Sequence, residues 1–304
     1  MKIFLTGASG FIGANLARKL LVKKHEVHVI LRDPKKAWRL QEILSQLKVH
    51  QVDLLDADKL TRLVKKIKPT AVIHCATYGM FMGRQKDVEL MLDTNIKVIK
   101  NLCFAALETG CQKIINTGTS SEYGIKTKPM SETDSLEPVN MYGSTKAAAT
   151  IIASQIAREH NLQLVTMRLF APYGPWEEPG RLIPTIITSQ IKNSEIKLGS
   201  KIPVRDFIYI DDICEAYLKA LNTKLIPGDI FNLGTGKQTS LLKLAQLMKA
   251  QVTWGEYQPV QQEPKIWRAQ TAHSQKLLGW HAKTDLTMGL KKTKTWFKAH
   301  LSYY

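Results

Sequence analysis

The chain has 304 residues, 44% of them hydrophobic, enough to bury a core in one large or two modest domains. Its four cysteines (Cys75, Cys103, Cys111, Cys214) are scattered without Cys-x-x-Cys spacing, which excludes a disulfide framework and a structural zinc site and fits a reducing, cytoplasmic setting. The net charge of +17 comes from lysines spread along the chain and not interleaved with aromatics, so it reads as a solvated surface, with no nucleic-acid partner expected.

In chain order, an apolar strand at 2–6 runs straight into Gly7-Ala8-Ser9-Gly10-Phe11-Ile12-Gly13, so a signal peptide is not expected. No apolar run approaches the roughly 18 residues of a membrane span, so no membrane partner is expected either. Further β-rich apolar runs fall at 26–31, 49–53, 71–75, 113–117 and 163–168, and amphipathic stretches at 15–23, 58–66, 88–108 and 145–159 lie between them. Short apolar strands alternating with helix-length segments predict a parallel sheet covered on both faces, with right-handed crossovers. Beyond Arg168 the texture changes. Prolines 172, 175, 179 and 184 interrupt the chain, followed by a helix at 183–192, a strand at 204–210, a helix opening at Asp211-Asp212, a strand at 230–233 and helices near 241–249 and 286–300. The expected α/β architecture is a Rossmann doubly wound sheet over residues 1–170 with a smaller substrate-binding lobe at 171–304, the segment near 230–234 returning to the main sheet.

The strand–turn–helix at residues 2–13 carries the first chemical signal. One glycine permits a tight bend, a second a close backbone approach and a third the packing of helix on strand, while the helix N-terminus offers free N–H groups to a pyrophosphate. The spacing is G-x-x-G-x-x-G. Gly7, Gly10, Phe11, Ile12 and Gly13 are therefore the expected dinucleotide cradle. At the end of the second strand, where an acid would bond both ribose hydroxyls of NAD, Leu31 stands followed by Arg32. A guanidinium there suits a 2′-phosphate, so NADP(H) is favoured and NAD(H) is the alternative. Lys35 and Lys36 could assist Arg32, and Asp33 would serve NAD if the register slips. Asp53 is a candidate acceptor for the adenine amino group, or equally a helix-start charge.

The second signal is Tyr142-Gly143-Ser144-Thr145-Lys146. Tyrosine and lysine four residues apart share one helix face, where the ammonium could favour phenolate in a group whose ordinary pKa is about 10. Hydroxyls at 116–124 could supply a second partner for the reacting oxygen. His74 reads as a core histidine. Met80-Phe81-Met82-Gly83 is either a substrate wall or core cover, Trp176-Glu177-Glu178 reads as a solvated loop rather than a lid, and Trp267-Arg268 carries no assigned role.

These motifs, with Pro172-Tyr173-Gly174-Pro175 and Val204-Arg205-Asp206-Phe207-Ile208-Tyr209-Ile210-Asp211-Asp212, occur in the order seen in extended short-chain dehydrogenases/reductases. The chain resembles their NAD(P)-dependent nucleotide-sugar epimerase/dehydratase family over nearly its whole length. The resemblance implies a homodimeric enzyme acting on a nucleotide-diphosphate sugar. It assigns Thr119 to the sugar oxygen, Tyr142 to acid/base work, and Lys146 and Asn95 to the cofactor site. It places Leu54 and Ala76 with the cofactor, and Thr77, Ser120, Ser121, Leu182 and Arg205 with the substrate, with no metal. Dehydratases of the family carry acids just after the catalytic threonine, where this chain has Ser120 and Ser121, with Glu122 one place later. Ala171 departs from an asparagine common in sugar epimerases. The favoured reaction is therefore NADPH-dependent reduction of a 4-keto-6-deoxyhexose, a look shared with 4-ketoreductases of deoxysugar pathways. The alternative is an NAD-dependent 4-epimerase.

Overall fold

The computed structural model describes residues 1–80, 87–255 and 264–304. Seven parallel strands form the central sheet: β1 (Lys2–Thr6), β2 (Glu26–Ile30), β3 (Lys48–His50), β4 (Ala71–His74), β5 (Lys113–Thr119), β6 (Gln163–Leu169) and, much later in the chain, β11 (Asp229–Leu233). Their spatial order is β11-β6-β5-β4-β1-β2-β3. The chain thus builds outward from β1 in one direction and then, from β4, in the other. The crevice between the carboxyl ends of β1 and β4 is the point at which such sheets bind ligands. The last strand returns to the sheet beside β6, pairing Phe231 with Met167 and Leu233 with Leu169.

Side-chain alternation along β1 explains the two cores. Ile3 and Leu5 point to the face covered by α1 (Phe11–Val22) and α7 (Ile210–Asn222), whereas Phe4 points to the opposite face. That face is covered by α2 (Ala57–Ile67), α4 (Val98–Thr109) and α5 (Met141–Glu159), through Leu60, Val64, Leu102, Ala149 and Ala153. Asp56 caps α2 by accepting from the Lys59 N–H, and Asn140 caps α5 by accepting from the Gly143 N–H. That asparagine starts α5 one turn earlier than the expected 145, so Tyr142 and Lys146 both lie within it.

Several elements differ from expectation. The third strand ends at His50 and not at 53, because Asp53 already forms a turn in which its Oδ1 accepts the Leu55 N–H at 3.0 Å. The long helix expected at 88–108 is α3 (Val88–Leu92), a π-helical turn (Asp93–Lys97) and α4. The strand expected at 204–210 is two strands, β9 (Val204–Arg205) and β10 (Phe207–Tyr209), paired with β12 (Thr239–Ser240) and β7 (Ala171–Tyr173) respectively. Asp206 is fully buried between them: its carboxylate accepts the N–H groups of Thr235, Gly236 and Ala269 and the Thr235 hydroxyl, while its backbone carbonyl accepts the Ala171 N–H at 2.9 Å. The C-terminal lobe also contains α6 (Leu182–Lys192), β8 (Ile196–Leu198), α8 (Leu241–Leu247), β13 (Val252–Trp254), α9 (Ala272–Leu278) and α10 (Leu286–Ala299). No helix among the described residues is long and apolar enough to cross a membrane.

Candidate active site

A cleft of about 1130 Å³ opens over the carboxyl ends of β1, β4 and β5. Gly7, Gly10, Phe11, Ile12 and Gly13 line its floor. Gly7 has φ +68°, and a Cβ there would lie 2.5 Å from the Ala76 nitrogen. A Cβ on Gly13 would collide with the Gly7 carbonyl oxygen. Gly10 caps α1 without any side-chain hydrogen bond, and the first turn holds no acid. The first N–H groups of α1 thus keep their donors for an anion, and the helix dipole favours one. These features fit the pyrophosphate of a nicotinamide dinucleotide.

At the adenosine end Arg32 is exposed and, with Leu31, Asp53 and Leu54, lines the cleft. Asp33 does not line it: its Oδ1 accepts the Lys35 N–H at 3.0 Å and caps a short 3₁₀ turn. Ala76 and Thr77 line the wall after β4, and Met80 follows them, whereas Phe81, Met82 and Gly83 lie outside the described residues.

Thr119 ends β5 and Tyr142 sits in the first turn of α5, and both reach the cleft. Burial pushes the Tyr142 phenol up to about 12, against hydrogen-bonding contact from Thr77 and Thr119. The expected lowering is therefore absent from the protein alone. Lys146, 2% exposed, lies behind the lining, and burial lowers its pKa while the negative charge of Glu122 opposes that fall. Burial, with Lys146 nearby, takes His74 down to about 3; its Nδ1 lies 2.7 Å from the Thr6 hydroxyl, so it is a neutral core histidine.

Asn95 also stands behind the lining. It occupies the π-helical turn, a distortion that turns its amide toward the β4 loop, and it is completely buried. Its Oδ1 accepts from the Thr77 hydroxyl and the Tyr78 N–H, both at 2.9 Å, and its Nδ2 donates to the Tyr78 carbonyl and the Thr145 hydroxyl. All four bonds of the amide are spent within the protein, so its link to the site runs through Thr77. Leu182, the first residue of α6, does not line the cleft either.

Ser120, Ser121 and Arg205 line the substrate side with Ala171, which brings no polar group. Ser120 accepts a hydrogen bond from Trp267 Nε1 at 3.2 Å, and the Arg205 guanidinium stands 5.2 Å from the centre of the Trp267 ring. Trp267 therefore forms part of the wall. Its neighbour Ala269 is tied to Asp206, a contact across 63 positions that no local spacing announces.

Arg39, buried in the cleft wall, is a second residue that spacing did not reveal. Its Nε donates to the Trp176 carbonyl at 2.7 Å, Nη1 to the Ser9 carbonyl at 3.3 Å and Nη2 to Glu178 at 2.6 Å. One guanidinium thus ties the glycine turn to the loop after β7. That loop is not solvated as expected: Trp176 and Glu177 are 3% and 4% exposed, because Arg18 stacks on the Trp176 ring and Asn15 donates to the Pro175 carbonyl. Burial lifts Glu177 to about 8 against the pull of Arg181.

This cleft and sheet define a dinucleotide-binding enzyme of the extended short-chain dehydrogenase/reductase type. Residues 3–234 match the NAD dependent epimerase/dehydratase family, and the chain belongs to it. It is 27% identical over 312 residues to UDP-glucuronate 4-epimerase of Thermodesulfobacterium geofontis (98% of this chain, 96% of the relative). It is 28% identical over 325 residues to human dTDP-D-glucose 4,6-dehydratase (98% and 90%). Among solved structures, the Bacillus cereus UDP-glucuronic acid 4-epimerase in complex with UDP-glucuronic acid and NAD superposes with a TM-score of 0.88 at 29% identity, covering 99% of this chain and 100% of the other.

Proposed function

We propose that the protein is an NAD-dependent 4-epimerase of a nucleotide-diphosphate sugar. The observation that carries the reading is the junction of Thr119 and Tyr142 in a cleft that begins at the glycine turn. When bound, the nicotinamide supplies the two-electron acceptor and donor for the sugar C4. Tyr142 takes the proton of the C4 hydroxyl and later returns it. Thr119, whose Oγ1 accepts the Ser121 N–H and whose hydroxyl contacts the Tyr142 phenol, turns its hydrogen to the sugar oxygen when substrate is bound. Lys146 adds positive charge behind Tyr142, and Asn95 fixes Thr77 against it. Arg205 and Trp267 bound the nucleotide-sugar side. Elimination is not part of the reading, because Glu122 is buried and ion-paired with Arg168, and serines occupy the lining positions.

The expectation of an NADPH-dependent 4-ketoreductase gives way to this alternative because relatives of near-equal length act as 4-epimerases, and one is solved with NAD. One observation favours the reductase: Arg32 lines the rim while Asp33 is spent as a cap. The test is incubation with UDP-glucuronic acid, UDP-glucose and a dTDP-4-keto-6-deoxyhexose, with NAD and NADPH both supplied, following product by NMR. Epimerisation at C4 of a UDP sugar supports the proposal, and reduction of the keto sugar alone supports the second reading. Replacing Tyr142 with Phe should abolish turnover and leave cofactor binding near normal.

A further inference from the structure

A buried ion pair lies directly beneath the reacting hydroxyls, and the chemistry above gives it no role. Glu122 is completely buried and Arg168 is 1% exposed. Arg168 Nε donates to Glu122 Oε2 at 2.7 Å, and Glu122 Oε1 accepts the Thr119 N–H at 2.9 Å. The pair is built in tightly: a Cβ on Gly118 would stand 2.7 Å from Glu122 Oε1 and 3.1 Å from Arg168 Cγ. The Arg168 guanidinium lies 4.5 Å from the centre of the Tyr123 ring, whose hydroxyl donates to Asn232 at 2.7 Å. Asn232 in turn donates its N–H to Glu132 at 2.9 Å. The turn that presents Thr119, Ser120 and Ser121 is thus anchored to β6 and to β11.

A hydrophobic pair of similar volume often holds a fold as well as a buried ion pair does, so stability alone does not account for these charges. We propose that Glu122, held by Arg168, is a positioning residue for the reaction: it sets the Thr119 hydroxyl through the Thr119 N–H, and its negative charge opposes a phenolate on Tyr142. The second half follows from the surroundings. The turn that holds Glu122 packs on the start of α5, where a Cβ on Gly143 would stand 2.6 Å from the Ser121 carbonyl oxygen, so the neighbouring Tyr142 feels Glu122, together with Arg181 from the start of α6 and the Thr77 and Thr119 hydroxyls. Lys146, on its own helix, feels the same carboxylate. Glu122 itself faces Arg168 and Tyr123, with Glu132 beyond them. Its charge therefore supports the ammonium and the neutral phenol together, which keeps the proton on Tyr142 until a positive ring sits beside it. This inference rests on the acid/base role proposed for Tyr142.

The test is Glu122→Gln in the full chain, which leaves an oxygen for the Thr119 N–H and removes the charge. The expected result is a fall in kcat of about tenfold or more with KM for the nucleotide sugar little changed, since a small misplacement of a reacting group is enough to do this. The rising limb of the pH–rate profile should also move toward lower pH by about one pH unit, as loss of a neighbouring negative charge eases phenolate formation. Glu122→Asp, which keeps the charge, should leave that limb in place. If the single variant fails to fold around a stranded Arg168, Glu122→Gln combined with Arg168→Met should fold and show the displaced limb. A Glu122→Gln enzyme, or in its place the double variant, with parental kcat and a superimposable pH profile overturns the proposal. Tyr142→Phe separates the two levels: if it still turns over, the proposed function fails, whereas an inactive Tyr142→Phe with an unshifted Glu122→Gln removes only the positioning role.

Discussion

Replacing Arg39 with methionine should loosen the roof over the glycine turn. The guanidinium is buried and makes three hydrogen bonds to two segments, the glycine turn and the 176–178 loop, and it also stacks 4.1 Å from the centre of the Trp38 ring. The Glu178 contact is discounted, because that carboxylate is 30% exposed and water can replace its partner. The Trp176 carbonyl, beneath a buried indole, loses its donor at a cost of about 1–2 kcal/mol. The stacking on Trp38 is worth about 0.5–1 kcal/mol. With a small residue from the long Ser9 bond and the ion pair, the loss is about 3 kcal/mol. At roughly 2–4 °C per kcal/mol for a chain of this size class, Tm should fall by about 6–12 °C. Glu178 would then stand unneutralised on the cleft rim, so binding of the dinucleotide pyrophosphate should weaken as well. Thermal unfolding and titration with NAD measure the two effects. A variant with parental Tm and parental cofactor affinity would refute the reasoning, while Arg39→Lys should restore little, since a single ammonium cannot reproduce the three-bond fork that spans the glycine turn and the 176–178 loop.

Other consequences follow from single contacts. Gly13→Ala should lose cofactor binding in equilibrium dialysis, because the new methyl meets the Gly7 carbonyl at the core of the turn; retained binding would contradict the cradle. Glu177 has a carboxyl lifted to about 8 in the fold, above its ordinary 4.5, so the folded protein holds a proton that the unfolded chain releases. Stability from this group is complete below about pH 4.5 and is lost as pH rises toward about 8. Glu177→Gln should therefore flatten the dependence of Tm on pH over that window and raise Tm near its upper end. Asp206→Ala leaves the N–H groups of Thr235, Gly236 and Ala269 without their acceptor, at about 1–3 kcal/mol each if no water enters, and the Trp267 wall should loosen with them. Its mark would be a lowered Tm together with a raised KM for the nucleotide sugar.

Much of this site was legible in the sequence because its strongest signals are local. A glycine turn between a strand and a helix has its chemistry within seven residues, and Tyr142 and Lys146 are one helical turn apart. The parallel sheet follows from apolar runs spaced by helix-length segments. The residues that spacing left dark act over long separations: Arg39 reaches Trp176 across 137 positions, and Trp267 reaches Ser120 across 147. The break of the expected 204–210 strand has the same origin, since the donors that bond the Asp206 carboxylate come from two later loops. The family resemblance points to Asn95, but only its four hydrogen bonds, made from a π-helical turn, show that its amide is consumed within the protein. Arg32 and Asp33 were read from the end of β2, and the capping bond of Asp33 adds that this acid is not free to face a ribose.

The central claim is that C4 of a nucleotide sugar is oxidised and reduced again within one turnover. Following the reduced-nicotinamide absorbance in reactions supplied with NAD and NADPH, with a nucleotide sugar or its 4-keto form as substrate, while NMR reports the product tests it directly. The proposed 4-epimerase converts the sugar to its C4 epimer with no net change in that absorbance. A fall in step with product would contradict it and identify a reductase.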